Sequence, residues 1–241
     1  MNVFILAGGK GTRFREETSF KPKPMIEING TPMVIHIIDH YRYHGLRDFT
    51  ILAGTKIEYI NDYFKKNYEV IDDNKYKYKD SDIFVLDTGS ETMTGGRVKI
   101  GIEALGLKKF MLTYGDGISD VNITELMKFY NKNNFNTVVT AARPPARFGR
   151  LKLDGNKVIE FGEKNQLDEG LINIGFFISN SNLLSYIEGQ QTIFEREPLE
   201  NLSKSGELGA FIHQGFWQPV DTIREKEILE DQLNKKVLDW Q

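Results

Sequence analysis

Val3-Phe4-Ile5-Leu6-Ala7-Gly8-Gly9-Lys10-Gly11-Thr12-Arg13, followed shortly by Lys21-Pro22-Lys23-Pro24-Met25, is the stretch on which the rest of the chain is arranged. Its first four residues form an apolar run that reads as a strand. That strand runs straight into three glycines, which accept positive φ and let backbone N–H groups approach an anion with no Cβ in the way. Thr12 adds a hydroxyl, and Arg13 and Lys23 add fixed positive charge. A strand feeding a glycine-rich, cationic loop is suited to polyphosphate.

The type of phosphate loop is narrowed by what is missing. A Walker A loop needs Gly-Lys-Ser/Thr after a four-residue spacer, and the chain has no such run. A dinucleotide fingerprint fits only in part: Gly9 and Gly11 match, but Phe14 stands where the third glycine belongs. Three glycines alone would also suit a turn with no ligand, a reading that the two basic side chains and the Lys-Pro-Lys-Pro run weigh against.

The length of 241 residues allows one large α/β domain or two small ones, and a hydrophobic content of 40% supports a substantial core. A net charge of −3 gives no electrostatic case for nucleic acid. The three lysines of 75–79 alternate with tyrosines beside Asp72, Asp73 and Asp80, as on a solvated strand or loop. With no cysteine, disulfides and thiolate metal sites are excluded. A strand at the very start leaves no room for a signal peptide, and no apolar run approaches the ~18–20 residues that span a membrane. The expectation is a cytoplasmic protein with neither nucleic acid nor membrane as partner.

Downstream, Thr31-Pro32 is expected to open a helix, Thr31 as N-cap and Pro32 at the first helical position, with Gly45 ending it. His36, His40 and His44 fall on one face of that helix, which reads as a surface or interface stripe in preference to a metal site. Strand 48–53 and helix 57–66 continue an alternation that predicts parallel βαβ units. Residues 69–82 carry the weakest signal, and 83–86 form a third strand. Asp87-Thr88-Gly89-Ser90-Glu91-Thr92-Met93-Thr94-Gly95-Gly96-Arg97 then forms a second glycine-rich segment between a strand and a helix, where α/β proteins bind ligands. Its glycines would serve a tight βα turn equally well, but such a turn does not need Arg97.

Strand 110–114 ends in Gly115-Asp116-Gly117, which suits either a bend or a carboxylate for a hard cation. Asn122 with Glu125 predicts an N-capped helix leading to strand 137–141. Beyond it the pattern changes to short strands with hairpin signals, at 150–153 and 157–161 around Asp154-Gly155-Asn156. Glu163-Lys164, Ile172-Asn173-Ile174-Gly175-Phe176-Phe177 and Gly215-Phe216-Trp217-Gln218-Pro219-Val220-Asp221-Thr222 follow. By itself Glu163-Lys164 reads as a solvated surface pair, and Asp221 as an N-cap for helix 223–233.

These motifs, in this order from residue 1 to about residue 233, resemble the sugar-phosphate nucleotidyltransferases, and within them the glucose-1-phosphate cytidylyltransferases. The resemblance implies an α/β fold with a Rossmann-like, mainly parallel sheet flanked by helices and a smaller antiparallel acceptor-binding lobe. It implies a single nucleotidyltransferase domain over 1–241, with 1–141 as the nucleotide-binding half and 142–241 as the acceptor-binding half. The nucleotide is then held by Leu6, Ala7, Gly8, Gly9, Gly11, Thr12, Arg13, Lys23, Thr94, Gly95, Gly96, Arg97 and Asp116. The acceptor falls to Tyr114, Gly115, Arg147, Gly149, Glu163, Lys164, Asn173 and Gly175, with Mg²⁺ on Asp116 and Asp221. Arg13, Lys23, Asp116, Lys164 and Asp221 carry the catalysis in that picture.

The implied substrates are CTP and a sugar 1-phosphate, with α-D-glucose 1-phosphate foremost, giving CDP-glucose for surface polysaccharide biosynthesis. Relatives of this kind assemble, so a homo-oligomer is implied, with Trp217, Trp240 and the histidine helix as interface candidates. Two departures bear on the acceptor. Ile174 stands where those enzymes have a glycine, and the 69–82 region is shorter. They keep open another phosphorylated acceptor, or dTTP or UTP as nucleotide. A non-catalytic nucleotide-binding subunit is the reading from a different class, and the joint presence of all five catalytic candidates argues against it.

Overall fold

An uninterrupted apolar strand is stable only where both of its faces are covered, because successive side chains point to opposite sides. The computed structural model describes residues 1–9, 20–144, 150–162, 170–235 and 238. It sets the opening strand, β1 (Asn2–Ala7), inside the main sheet. A 3₁₀ turn at Lys23–Met25 leads to β2 (Glu27–Ile28), β3 (Thr31–Pro32), α1 (Met33–Tyr43), β4 (Asp48–Ala53) and α2 (Ile57–Asn67). Next come β5 (Glu69–Asp72), β6 (Lys75–Tyr78), β7 (Ser81–Asp87), α3 (Thr94–Leu105), β8 (Lys109–Tyr114), β9 (Gly117–Ser119), α4 (Ile123–Lys132) and β10 (Thr137–Ala142). The remainder is β11 (Arg150–Asp154), β12 (Lys157–Gly162), β13 (Ile172–Asn173), β14 (Phe177–Asn180), α5 (Glu197–Lys204), β15 (Leu208–Ile212), β16 (Trp217–Pro219) and α6 (Ile223–Asn234).

β1 pairs in parallel with β4 on one side and β8 on the other, and β4 pairs in parallel with β7. The chain therefore winds outward from β1 through β4 to β7 and returns to the opposite flank as β8. Such a reversal leaves a crevice at the carboxyl ends of the two central strands. Beyond β8 the sheet turns antiparallel through β14 to β10, and β15 runs parallel to β10. The fold is thus the expected α/β sheet with a mainly parallel centre, and β11–β12, β9–β16 and β2–β3 form small antiparallel pairs.

Strand residues alternate between two cores. Val3, Ile5, Phe49, Ile51 and Met111 face Ile37, Ile60, Leu126 and Leu229 of α1, α2, α4 and α6. Phe4, Leu6, Leu52, Phe110 and Leu112 face Val98 and Ile102 of α3 and Leu202 of α5.

Several sequence expectations change. Thr31-Pro32 forms β3 instead of capping the helix; Pro32 occupies the cap position with no side-chain bond, and helix begins at Met33. The histidine face of α1 is not a surface stripe, because the β9–α4 connection covers it. His40 is 2% exposed, and its Nε2 donates to the Val121 carbonyl at 2.8 Å. His36 Nε2 donates to the Ile28 carbonyl at 3.0 Å, and His44 Nδ1 lies 3.0 Å from Thr124 Oγ1. Burial lowers the His40 pKa to about 3.

Residues 69–82 prove ordered: β5 and β6 make an antiparallel hairpin that extends β7. Tyr76 and Tyr78 point inward, while Lys77 pairs with Asp82 at 2.6 Å and Lys79 with Asp39 at 3.1 Å. The run 172–177 is broken between β13 and β14, where Gly175 and Phe176 take φ of 86° and 51°. Asn122 does cap α4, accepting from the Glu125 N–H at 3.0 Å. No helix among the described residues is long and apolar enough to cross a membrane.

Candidate active site

The crevice between β1 and β8 holds a cavity of about 360 Å³. The end of β1 supplies Leu6, Ala7, Gly8 and Gly9, the end of β8 supplies Tyr114, Gly115 and Asp116, and Ser90–Thr94 close the far wall. The Gly115 N–H donates to the Leu6 carbonyl at 3.1 Å and ties the two strand ends together.

Lys23 enters this cavity from the 3₁₀ turn. Proline at 22 and 24 fixes φ on either side of it, and the Met25 N–H closes the turn on the Pro22 carbonyl at 2.9 Å. Met25 is buried, so the turn is anchored beneath and presents Lys23 above. The Lys23 ammonium donates to Asp116 Oδ2 at 2.7 Å and to Asp221 Oδ1 at 2.6 Å. These carboxylates come from distant parts of the chain, joined by the β9–β16 ladder with Gly117 opposite Pro219, and by the Val220 N–H on the Asp116 carbonyl at 2.9 Å. The N-cap role weighed for Asp221 belongs to Thr222, whose hydroxyl accepts from the Glu225 N–H at 3.2 Å. Asp221 instead turns its carboxylate to Lys23. Two carboxylates converging on one cation are a donor set that fits Mg²⁺, a hard ion that prefers a few carboxylate oxygens together with phosphate.

The second glycine-rich segment is arranged differently from its expectation. Gly95 and Gly96 lie in the first turn of α3, not in a loop. A Cβ at Gly95 would lie 2.8 Å from the Thr192 carbonyl, and one at Gly96 would lie 2.5 Å from the Gln190 carbonyl. The Met93 N–H is satisfied by the Gln190 carbonyl and the Gly95 N–H by the Thr192 carbonyl, at 2.8 and 2.9 Å. These glycines therefore admit the 190–192 backbone against the helix N-terminus and spend its donors there. Thr94 lines the cavity, but its hydroxyl donates to Glu195 Oε2 at 2.7 Å and accepts from the Phe194 N–H at 2.9 Å.

Arg97 is 3% exposed. Its guanidinium donates to the Ala53 carbonyl at 3.0 Å, to Thr88 Oγ1 at 2.6 Å and to the Gly8 carbonyl at 3.0 Å. It thereby fastens the loops after β4, β7 and β1. Burial lowers its pKa from the usual arginine value, but an arginine keeps its charge at neutral pH. The guanidinium occupies the space that side chains at Gly8 and Gly54 would need.

On the other flank, Asn173 Nδ2 donates to the Tyr114 hydroxyl at 3.0 Å, and Asn173 Oδ1 accepts from the Gly175 N–H at 2.8 Å. Burial raises the Tyr114 pKa, so the phenol stays protonated. Ile174 is 2% exposed and packs in the core. Its side chain does not line the cavity between β1 and β8.

A profile of the family described as "Nucleotidyl transferase" matches residues 2–225. The chain belongs to this family. The nucleotidyl transferase is 39% identical to the glucose-1-phosphate cytidylyltransferase of Salmonella typhi, over 100% of this chain and 98% of that protein. Among solved structures it superposes on HddC from Yersinia pseudotuberculosis with a TM-score of 0.74 at 21% identity, covering 96% of this chain and 99% of that one. The inositol-1-phosphate CTP transferase of T. maritima gives a TM-score of 0.70 at 15% identity, over 98% and 97% of the two chains.

Of the residues singled out by sequence, this nucleotidyl transferase gathers Leu6, Ala7, Gly8, Gly9, Lys23, Thr94, Arg97, Tyr114, Gly115 and Asp116 around one cavity. Asp221 joins them through Lys23, and Asn173 and Gly175 through Tyr114. Gly11, Thr12, Arg13, Arg147, Gly149, Glu163, Lys164 and Trp240 lie outside the described residues. Sequence reasoning did not single out Glu195, Gly54 or Thr88. Thr88 sits in the quoted Asp-Thr-Gly segment and Gly54 directly follows the strand expected over 48–53, so both stand in plain view without a role. Glu195 carried no local signal, because its partner Thr94 is distant in sequence.

Proposed function

We propose that the protein transfers a cytidylyl group from CTP to a sugar 1-phosphate, with α-D-glucose 1-phosphate as the acceptor, and releases pyrophosphate. The observation that carries the chemistry is the convergence of Lys23, Asp116 and Asp221 beside a cavity lined by Leu6–Gly9. The choice of CTP and glucose 1-phosphate is supported by the full-length similarity to the Salmonella typhi enzyme.

In this reading the backbone at Gly8 and Gly9 faces the triphosphate, and Arg97 holds that backbone in place from behind. Lys23 meets the phosphates from the opposite wall. The attacking atom is an oxygen of the sugar phosphate, already anionic at neutral pH, so no general base is required. Catalysis is then orientation and charge stabilisation. Asp116 and Asp221 would hold Mg²⁺, which when bound supplies positive charge to the phosphate oxygens. Tyr114 and Asn173 wall the acceptor side, their hydrogen bond fixing both side chains.

Pyrophosphate release measured over a grid of CTP, UTP, dTTP, ATP and GTP against several sugar 1-phosphates tests the assignment. CTP with glucose 1-phosphate is expected to give the highest kcat/KM. Asp221→Asn is expected to lower kcat by about 10²-fold or more, the scale typical of losing one electrostatic stabiliser. Preference for another pair would replace the substrates, and silence over the whole grid would overturn the enzymatic reading.

A further inference from the structure

We infer that Lys23 is the resident counter-ion of the Asp116–Asp221 pair, and that a divalent cation enters only by displacing it. The cation therefore arrives with the nucleotide and not before it. This rests on the metal-site reading proposed above.

The geometry carries the argument. Two ionised carboxylates brought to one point repel one another, and a cation between them offsets that repulsion. The Lys23 ammonium fills that role at 2.7 and 2.6 Å, with its side chain only 13% exposed. Its backbone is fixed in the proline-flanked turn above the buried Met25, so displacement is a movement of the side chain alone. Mg²⁺ requires carboxylate oxygens at about 2.0–2.1 Å, and a divalent ion on the same oxygens repels an ammonium already bonded to them.

What happens to the displaced ammonium sets the order of binding. Without nucleotide it gives up two charge-assisted hydrogen bonds, to the carboxylates that hold it among the described residues. With nucleotide, the triphosphate offers oxygens to both the cation and Lys23. Metal and nucleotide then strengthen each other's binding, by the same factor in both directions.

The test uses Mn²⁺ as probe on the full chain, with free Mn²⁺ followed by electron paramagnetic resonance and melting temperature recorded in parallel. Without nucleotide, Lys23→Met is expected to bind Mn²⁺ at least tenfold more tightly than the wild type and to gain more melting temperature on Mn²⁺ addition. Asp221→Asn in the Lys23→Met background is expected to remove both gains. Lys23→Gln, which keeps a polar head in the cavity, serves in the same role should the methionine variant not fold. Equal Mn²⁺ affinity of wild type and folded Lys23 variant without nucleotide would overturn the displacement while leaving the metal site standing. No Mn²⁺ binding by any of these proteins, even with CTP, would overturn the metal site and the inference together.

Discussion

Three loops of the site meet on one side chain. Arg97 bonds the Gly8 carbonyl after β1, the Ala53 carbonyl at the end of β4 and Thr88 Oγ1 after β7. Truncating it leaves buried acceptors without donors, a loss of about 1–3 kcal/mol for each group that water cannot reach. Arg97→Ala is therefore expected to cost roughly 2–4 kcal/mol in chemical denaturation and to weaken nucleotide binding. Gly54→Ala acts on the same arrangement from the other side, since its Cβ would stand 2.3 Å from the guanidinium Nη1. Combining the two substitutions should cost clearly less than the sum, because the second has little left to disturb. Additive losses in the double-mutant cycle would show that Gly54 matters for some other reason.

The start of α3 places helix propensity and packing in opposition. In an exposed helix, replacing glycine by alanine stabilises by about 1 kcal/mol. At Gly96 the added Cβ would fall 2.5 Å from the Gln190 carbonyl oxygen and 2.6 Å from its Cα, both backbone atoms. Packing wins, and Gly96→Ala is expected to destabilise by roughly 1–3 kcal/mol, which at this chain length lowers Tm by about 2–4 °C per kcal/mol. Gly189→Ala, on the neighbouring segment with no atom within 4 Å of its built Cβ, is the control and should be nearly neutral. Calorimetry of the two variants distinguishes close approach from a general intolerance of the segment. The same opposition explains why the glycines resemble a phosphate loop in sequence but serve the 190–192 backbone in the fold.

At the scale of the whole molecule, the histidine face of α1 packs against segments remote in sequence, Val121, Thr124 and Phe176. His40 is buried and neutral, its pKa lowered to about 3 chiefly by burial, and His36 and His44 are also lowered by burial. In the unfolded chain His40 titrates near 6.5. Its contribution is therefore complete above pH 6.5, and is lost as pH falls toward 3, because the unfolded state takes up a proton that the folded state refuses. Stability is expected to fall with a slope of up to about 1.4 kcal/mol per pH unit from this residue. His40→Gln, whose amide can still donate to the Val121 carbonyl, should be less stable at pH 7 but show a shallower decline between pH 6.5 and 5. Denaturant midpoints measured across that range provide the check; parallel curves for the two proteins would remove His40 as the cause.

The sequence by itself determined the order and nature of the elements wherever the signal was local. The apolar run of β1, strand 48–53, the Asn122 cap and the Asp154-Gly155-Asn156 hairpin are each specified within a few residues. It also placed glycine, lysine and aspartate at strand ends, while the roles expected of Asp116 and Asp221 came from the resemblance and not from the residues by themselves. Tertiary structure alone decided which of these groups meet. Asp116 and Asp221 come together through a ladder between distant segments, Lys23 bridges them, and Glu195 and Gly54 acquire roles only from partners remote in the chain. It also turned the histidines inward and directed Ile174 into the core, since the face an element buries depends on what folds against it. Local propensity acts over a few residues, whereas burial and ion pairing depend on distance in space, and that distance exists only once the sheet has formed.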